Sequence, residues 1–405
     1  MDLRAFRILW VGQVVSALGT RVSGVAFPLL TLLLTGSATK AGAVGFAGTL
    51  PLLTMTLHAG AFVDRYDRKK MMLACEAARA IALASVAAGV FFHFVSFPQL
   101  VVVSVIEGAG FTLFEIAQRA ALRQLVPVEQ LPHAAALNQG REYGALLVGL
   151  PLGGALYGIS RVVPFLADAV SYVASFASLL LIRRPLNEAR DTQQTVRRRA
   201  RDEIGEGIAW LWRQPFLRTC SLLVIPSDLT VNALFLVVVV LARRHGASPG
   251  LIGVMLIFNG VGGLVGTLLA PHAIRRFPPQ VGIYATLITM TLLLPVIAVV
   301  RNPIALGILY GAMFVPYPTW GAMISAYRAA LVPDHLQGRV QSVATLLSLG
   351  AVPVALLAVG AALQHFGGVP TVLVLFAIMV AATVYALSSQ NIRHVAPLTE
   401  AAPAS

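Results

Sequence analysis

Apolar residues in this chain come in long unbroken runs, separated by short stretches where charge, proline and glycine collect. Twelve of these runs approach or exceed the about 20 residues that a helix needs to cross a bilayer. They are Ile8–Leu34, Ala41–Val63, Met71–Val95, Gln99–Leu122, Ala134–Ile159, Val162–Ile182, Phe216–Leu241, Leu251–Ile274, Val281–Val300, Ile304–Leu331, Val340–Leu363 and Val369–Leu387. None alternates with the short dyad rhythm of a membrane β-barrel, so the runs predict helices. The longest polar interval, Arg183 to Pro215, divides them six and six. It predicts an N-terminal six-helix bundle over residues 1–185, a linker over 186–215 and a C-terminal bundle over 216–405. The linker opens basic at Arg197, Arg198, Arg199 and Arg201, then turns amphipathic, with Ile204, Ile208, Leu211 and Trp212 at helical spacing. It reads as a short helix lying on the inner leaflet. The expected architecture is an all-α polytopic membrane protein, twelve transmembrane helices in two pseudo-symmetric six-helix bundles.

Composition excludes the alternatives. Of 405 residues, 57% are hydrophobic and only 12% charged, too little charge to cover a soluble globule of this size. The net charge of +13 would suggest nucleic acid in a soluble protein. Here the basic residues gather between the runs. With the N-terminus inside, 22 Lys and Arg fall on the inner side and 5 on the outer, with Arg21, Arg79 and Arg141 within spans. The positive-inside rule then places both termini in the cytoplasm. The first run is too long for a signal-peptide core and is read as a retained span. Cys75 and Cys220 both lie in apolar runs and imply no disulfide framework.

The halves echo one another. Leu125-Val126-Pro127, then Glu129 and Leu131, follows span four; Leu331-Val332-Pro333-Asp334, then Leu336, follows span ten. Arg65-Tyr66 after span two is matched by Arg276-Phe277 after span eight. The separations, 206 and 211 positions, are each close to half the chain. Duplication of a helical unit is the mark of transporters, whose sites lie at the repeat interface.

The strongest local motif is Gly60-Ala61-Phe62-Val63-Asp64-Arg65-Tyr66-Asp67-Arg68-Lys69-Lys70, between spans two and three. Gly60 permits close helix approach, and Asp64 among basic residues can pair or sit at a helix N-terminus. The segment resembles the inner-loop signature of the major facilitator superfamily, and with the duplication the resemblance covers nearly the whole chain. Several stretches are similar to the branch that contains the enterobactin exporter and macrolide efflux pumps. They are Leu125-Val126-Pro127 through Ala136-Leu137-Asn138, Arg141-Glu142, Gly149 to Gly154, Pro164 through Tyr172, and Glu206 through Leu211. The resemblance implies that Gly60, Asp64, Arg65 and Arg68 form a conformational latch. The second-half copy is degraded, with Arg275 where an acid would stand and Pro278-Pro279 following. Span five carries Gly149-Leu150-Pro151-Leu152-Gly153-Gly154, close to the glycine–proline motif of family exporters with the proline moved by one position. Small residues for tight helix packing explain that stretch equally well.

Charges inside apolar runs are costly, and so point to function. Glu76 and Arg79, three apart on one helix face, are read as a mutually neutralising structural pair. Glu115 and Asp168, near span ends, are read as reaching water or capping a helix. Arg141 and Glu142 are adjacent and should point to different sides of span five. Arg21, Glu107 and Asp228 lie near the middle of spans one, four and seven, which line the central cavity in the resembled fold. A carboxylate there can exchange protons as access alternates; a permanent Arg21–Glu107 ion pair is the alternative. Asn232 and Phe235 of span seven, with Tyr310, Tyr317, Trp320 and Tyr327 of span ten, could shape an apolar pocket. Pro316 and Pro318 should break span ten near its middle. The eight histidines form no metal-binding spacing, and no phosphate-binding glycine loop appears.

The expected function is proton-coupled antiport, by alternating access, of a drug-like, macrolide or siderophore-type molecule. A proton-coupled importer or lipid flippase of the same fold is the alternative. The expected site is Arg21, Glu107, Arg141, Glu142, Asp228, Asn232, Tyr317 and Trp320. An enzyme is not expected, nor a cofactor, metal or nucleic acid. The expected partners are the substrate, protons and lipid, and the expected form is a monomer in a prokaryotic cytoplasmic membrane.

Overall fold

The computed structural model describes residues 3–63, 66–125, 131–182 and 200–395. These form sixteen α-helices and, among the described residues, no strand. The first six are α1 (Leu3–Thr35), α2 (Ala38–Val63), α3 (Arg68–Phe91), α4 (Phe97–Leu125), α5 (Leu131–Ile159) and α6 (Val163–Leu181). The linker helix is α7 (Ala200–Arg213). The second half holds α8 (Pro215–Arg244), α9 (Pro249–Arg276), α10 (Pro279–Val299), α11 (Pro303–Met313), α12 (Tyr317–Leu331), α13 (Asp334–Gly350), α14 (Val352–His365), α15 (Gly368–Ser388) and the short α16 (Gln390–Arg393).

Ten helical stretches among the described residues are long and apolar enough to span a membrane, α13 and α14 together making one of them. The 26-residue α2 and the broken pair α11–α12 complete the twelve expected spans. Span ten breaks where its prolines predict: α11 stops at Met313 and α12 starts at Tyr317, after Pro316. Proline lacks the N–H that would continue the ladder. Span eleven also breaks, at Ala351, which the sequence reading did not anticipate. Pro353 two residues on removes the N–H that would return to Leu349, whose carbonyl instead accepts from Ala351.

The chain divides into two compact units: Met1–Val196 with Ala247–Ile257, and Arg197–Gly246 with Phe258–Ser405. The expected boundary at 185–186 lies outside the described residues. The linker helix α7 groups with the second unit, and the opening of α9 with the first, where Gly253 lies against Gly154.

Glycines set the closest crossings. In the first unit a Cβ on Gly108 of α4 would collide with the Gly48 carbonyl of α2. In the second, a Cβ on Gly262 of α9 would collide with the Gly311 carbonyl of α11. Spans two and four thus cross as spans eight and ten do, which is the duplication expressed in packing. The glycines of span five act likewise: Gly149 abuts Arg21 and Leu18 of α1, and Gly153 abuts Val22. Tight packing accounts for both.

Of the latch, Asp64 and Arg65 lie outside the described residues. Gly60 falls in the last turn of α2. Arg68 opens α3, buried, with its guanidinium 3.5 Å from the Ala120 carbonyl. Asp67 caps α3 by accepting from Lys70 N–H at 2.9 Å. Lys69 donates to the Ile182 carbonyl at 2.6 Å, placing a cation at the end of α6, where the helix dipole favours it.

The linker helix does not present one undivided apolar face outward. Leu211 is fully buried, while Ile208 and Trp212 are exposed. Arg339 of α13 donates to Glu206 at 2.5 Å, and Gly207 lies against the Arg339 backbone. The helix is therefore docked on α13 as well as amphipathic.

Gly108→Val and Gly262→Val should each lower stability by about 1–3 kcal/mol through forced helix separation. Gly140→Val, at a position with open space beside it, should not. Thermal unfolding of the detergent-purified protein measures the difference.

Candidate functional site

Three helices of the first unit turn polar faces toward one another. On α6, Asp168, Ser171, Tyr172 and Ser175 fall at i, i+3, i+4 and i+7, one helical face. On α1, Gln13, Thr20 and Ser23 do the same, and α3 supplies Glu76 and Arg79. Glu107 enters from α4.

Arg79 is the hub. Its guanidinium, with 4% of the side chain exposed, donates through Nε and Nη2 to Glu107 Oε2, both at 3.2 Å. It also donates to Thr20 at 3.3 Å and to the Tyr172 hydroxyl. It stacks 4.0 Å from the Tyr172 ring centroid, so the ring face as well as the hydroxyl stabilises the cation. Tyr172 donates in turn to Glu107 Oε2 at 2.7 Å and shares a 2.9 Å hydrogen bond with Thr20. Glu107 Oε1 has no hydrogen-bond partner among the described residues.

This geometry corrects three expectations. Arg79 pairs with Glu107 of α4, not with Glu76 on its own helix. Arg21 does not pair with Glu107; it pairs with Glu142 of α5 at 3.1 Å. Glu76 is fully buried and is held by Ser175 at 2.9 Å and Gln13 at 3.4 Å. Asp168, expected at a water-exposed end or cap, is also fully buried, accepting from Ser23 at 2.5 Å and Ser171 at 3.1 Å.

A second polar system runs along α1, α5 and α4. Glu142 bonds Arg21 through one oxygen and Arg141 through the other, at 2.9 Å. Arg141 reaches Glu115 at 3.5 Å, and Glu115 reaches Arg119 at 3.4 Å. Adjacent residues were expected on different sides of span five, yet Arg141 and Glu142 bond each other because both side chains are long enough to fold back. Their environments do differ: Arg141 is 4% exposed, whereas Arg21 and Glu142 are 40% and 34% exposed. A mid-helix ion pair this open needs water rather than lipid beside it.

In the second unit, Asp228 of α8 is buried and accepts from the hydroxyls of Tyr317 (α12) and Ser348 (α13). No basic side chain among the described residues pairs with it. The span-ten break allows this, because Tyr317 opens α12. Asn232 turns back to its own helix, donating to the Asp228 carbonyl at 2.8 Å. Trp320 packs edge-on against Tyr317, 6.5 Å between centroids, fully buried with Nε1 unpartnered among the described residues. Tyr310 and Tyr327 are core residues of the same unit. Sequence reasoning missed Thr20, Tyr172 and Ser348; the helical-face spacing around Asp168 was the available signal for Tyr172.

Residues 9–351 match the family profile described as the Major Facilitator Superfamily. The chain belongs to that superfamily. Among curated relatives, the multidrug efflux pump Tap of Mycobacterium tuberculosis is 30% identical over 381 residues, covering 88% of this chain and 86% of that protein. Macrolide efflux protein A of Streptococcus pyogenes is 26% identical over 207 residues, 51% of each chain. Among solved structures, a bacterial homologue of the iron transporter ferroportin in an inward-facing state superposes with a TM-score of 0.74 at 16% identity. It covers 96% of this chain and 98% of that one, and shows the fold alone. As a member of the superfamily, this chain is an integral membrane protein, and its relatives are transporters rather than enzymes.

Arg79→Met should cost about 3–5 kcal/mol, because it strands buried carboxylates without their cation. Adding Glu107→Gln should recover part of that loss. A double-mutant cycle on thermal unfolding in detergent measures the coupling.

Proposed function

We propose that this superfamily member is a proton-driven exporter, moving a drug-like or macrolide-type molecule outward by alternating access. Similarity to two efflux proteins supports the cargo class. The observation that carries the coupling is the Arg79–Glu107–Tyr172 cluster: a buried carboxylate with one arginine, one phenol and one open oxygen. Such a group has two arrangements. Ionised, it binds Arg79; protonated, it releases Arg79 to Tyr172 and Thr20, and the helices carrying these groups can shift.

Asp228 supplies the complementary group in the second unit. Two hydroxyls orient its carboxylate and leave its charge uncompensated among the described residues. A cationic amine on the cargo, or a proton, can neutralise it, and the two would compete. Arg21 and Glu142, open to water, form a polar wall against which a partly apolar molecule can slide. Half-buried Tyr317 offers ring surface with buried Trp320 packed behind it, while Asn232 and Arg141 support their own helices and neighbours. In this reading the fold is organised as bundles 1–185 and 216–405 with linker 186–215. Both termini are cytoplasmic, the membrane is the bacterial inner membrane and the working form is a monomer. No cofactor is required, since the proton gradient drives the cycle. The loop from Gly60 through Asp64, Arg65 and Arg68 acts as the conformational latch.

The test uses inside-out vesicles with an acid lumen and three probes: ethidium, erythromycin and tetracycline. Export appears as gradient-dependent accumulation of a probe in the lumen. Glu107→Gln should cut it by about tenfold or more, with membrane insertion unchanged. Movement in the same direction as the protons would make the protein an importer. Asp64→Asn should slow turnover by about fivefold while half-saturation stays within error; an unchanged turnover would remove the latch.

A further inference from the structure

Glu76, Glu107 and Asp168 lie in the interior of the first unit, and Arg79 is the only basic side chain among the described residues that forms an ion pair with any of them. Were all three ionised, two negative charges would stand uncompensated in an apolar, tightly packed interior. Burial of that kind is resolved by protonation. The interior therefore holds protons at rest, and Glu107 alone does not account for them.

The three carboxylates are stacked rather than scattered. Along α6, Asp168, Tyr172 and Ser175 follow one another at intervals of four and three residues, a rise of about 6 and about 4.5 Å. Asp168 marks one layer, Tyr172 with Glu107 and Arg79 the next, and Ser175 with Glu76 the third. Hydroxyls lie in the first interval, between Asp168 and Tyr172, and in the third layer beside Glu76. Ser23 Oγ lies 2.5 Å from Asp168 and 3.3 Å from the Thr20 carbonyl, and Thr20 bonds the Tyr172 hydroxyl. Ser175 bonds Glu76 and also receives Gln13 at 2.9 Å. A hydroxyl both donates and accepts, so it can hand a proton onward without acquiring charge.

One detail is not explained by packing. Glu76 is fully buried, yet its Oε2 has no partner among the described residues. Gly19 of α1 lets α6 approach closely at Ser171 and Asp168, where a Cβ would collide with Ser171 Oγ and come 2.5 Å from Asp168 Oδ1. Among the described residues, the groups facing the seam are Gln13, Thr20 and Ser23 from α1, Glu76 and Arg79 from α3 with Cys75 beside them, Glu107 from α4, and Asp168, Ser171, Tyr172 and Ser175 from α6.

We propose that Glu76 and Asp168 carry the coupling protons together with Glu107, along a polar seam inside the first unit between α1, α3 and α6. The inference rests on Glu107 as the coupling group and extends it. At rest Asp168 and Glu76 are protonated and Glu107 is ionised against Arg79. In one passage Glu76 gives its proton to water beyond the seam. Glu107 takes the Asp168 proton, loosens its hold on Arg79 and passes that proton to the emptied Glu76. Asp168 is then refilled by a proton from the other side, so one proton enters, one leaves, and each carboxyl returns to its starting state.

The full-length protein in proteoliposomes tests this with ethidium, in two transport modes. Glu76→Gln and Asp168→Asn should each lose about tenfold of pH-gradient-driven accumulation, while ethidium exchange at equilibrium, which needs no net proton movement, stays within about twofold. Glu76→Asp, which keeps a titratable group, should regain part of the driven transport. Infrared spectra of the same samples supply a substrate-free readout. At neutral pH the wild-type protein should show the carbonyl stretch of protonated carboxylic acids, and each Gln or Asn variant should lose part of it. Driven transport that survives both substitutions overturns the proposal, as does a driven rate that falls in step with exchange. If the wild-type protein moves no ethidium against a gradient, it is the export reading that fails for this probe. The infrared bands then decide the seam by themselves: bands that shrink in the variants uphold it, and bands that are absent or unchanged overturn it.

Discussion

The buried guanidinium of Arg79 organises the polar interior of the first unit. Arg79 cannot lose its proton under any ordinary condition, so its charge is a fixed quantity around which the neighbouring groups must settle. It is gripped on one side by Glu107 and on the other by the ring and hydroxyl of Tyr172, with Thr20 completing the shell. Each of those groups comes from a different helix: α4, α6 and α1. Any change in the charge of Glu107 is therefore felt by four helices at once. A fixed cation beside a carboxylate that can be neutralised gives those helices two states to choose between.

The two units share a frame and differ in chemistry. The Gly48–Gly108 and Gly262–Gly311 crossings occupy corresponding places, and in each a helix backbone is met with no side chain between. The polar groups laid over that frame do not correspond. The first unit sets three buried acids around Arg79, with Arg68 and Arg141 buried elsewhere in it; the second has Asp228, oriented by two hydroxyls, with no basic partner among the described residues. Duplication preserves what packing needs, because a glycine crossing cannot be altered without moving both helices. It leaves the charged positions free to diverge.

Much of this was legible in the sequence. The twelve spans follow from run length alone, and the break at Pro316 from the missing amide of proline. The family followed from the loop motif together with the repeat. The candidate site was legible residue by residue but not in its pairing. Glu76 and Arg79 are correctly spaced to meet on an isolated helix, and a tertiary partner with better geometry, Glu107, won the cation. Arg21 and Glu107 share a mid-span depth, yet depth says nothing about which way a side chain points around its helix. Asp168 sits six residues into α6, close enough to the end to read as a cap; burial against Ser23 of a sequence-distant helix decided otherwise. Tyr172 and Ser348 carry no charge, and so no signal in a search for charges inside apolar runs.

Helix α1 joins the two polar systems of the first unit. Thr20 and Arg21 are neighbours in sequence, and on a helix that sets them about 100° apart. Thr20 faces Arg79 and Tyr172 in the buried cluster, while Arg21 faces Glu142 at the wetted surface. A rotation or slide of α1 moves both contacts together. The glycines of α5 bear on this directly. Gly153 presses the α5 backbone onto the α1 backbone at Val22, and Gly149 rests on the Arg21 side-chain stem and the Leu18 carbonyl. A displacement of α1 is thus passed to α5 through close contact at both glycines. On this argument the glycine stretch of span five need not bind anything to act, since it is the close bearing between the buried Arg79 cluster and the open Arg21–Glu142 ion pair.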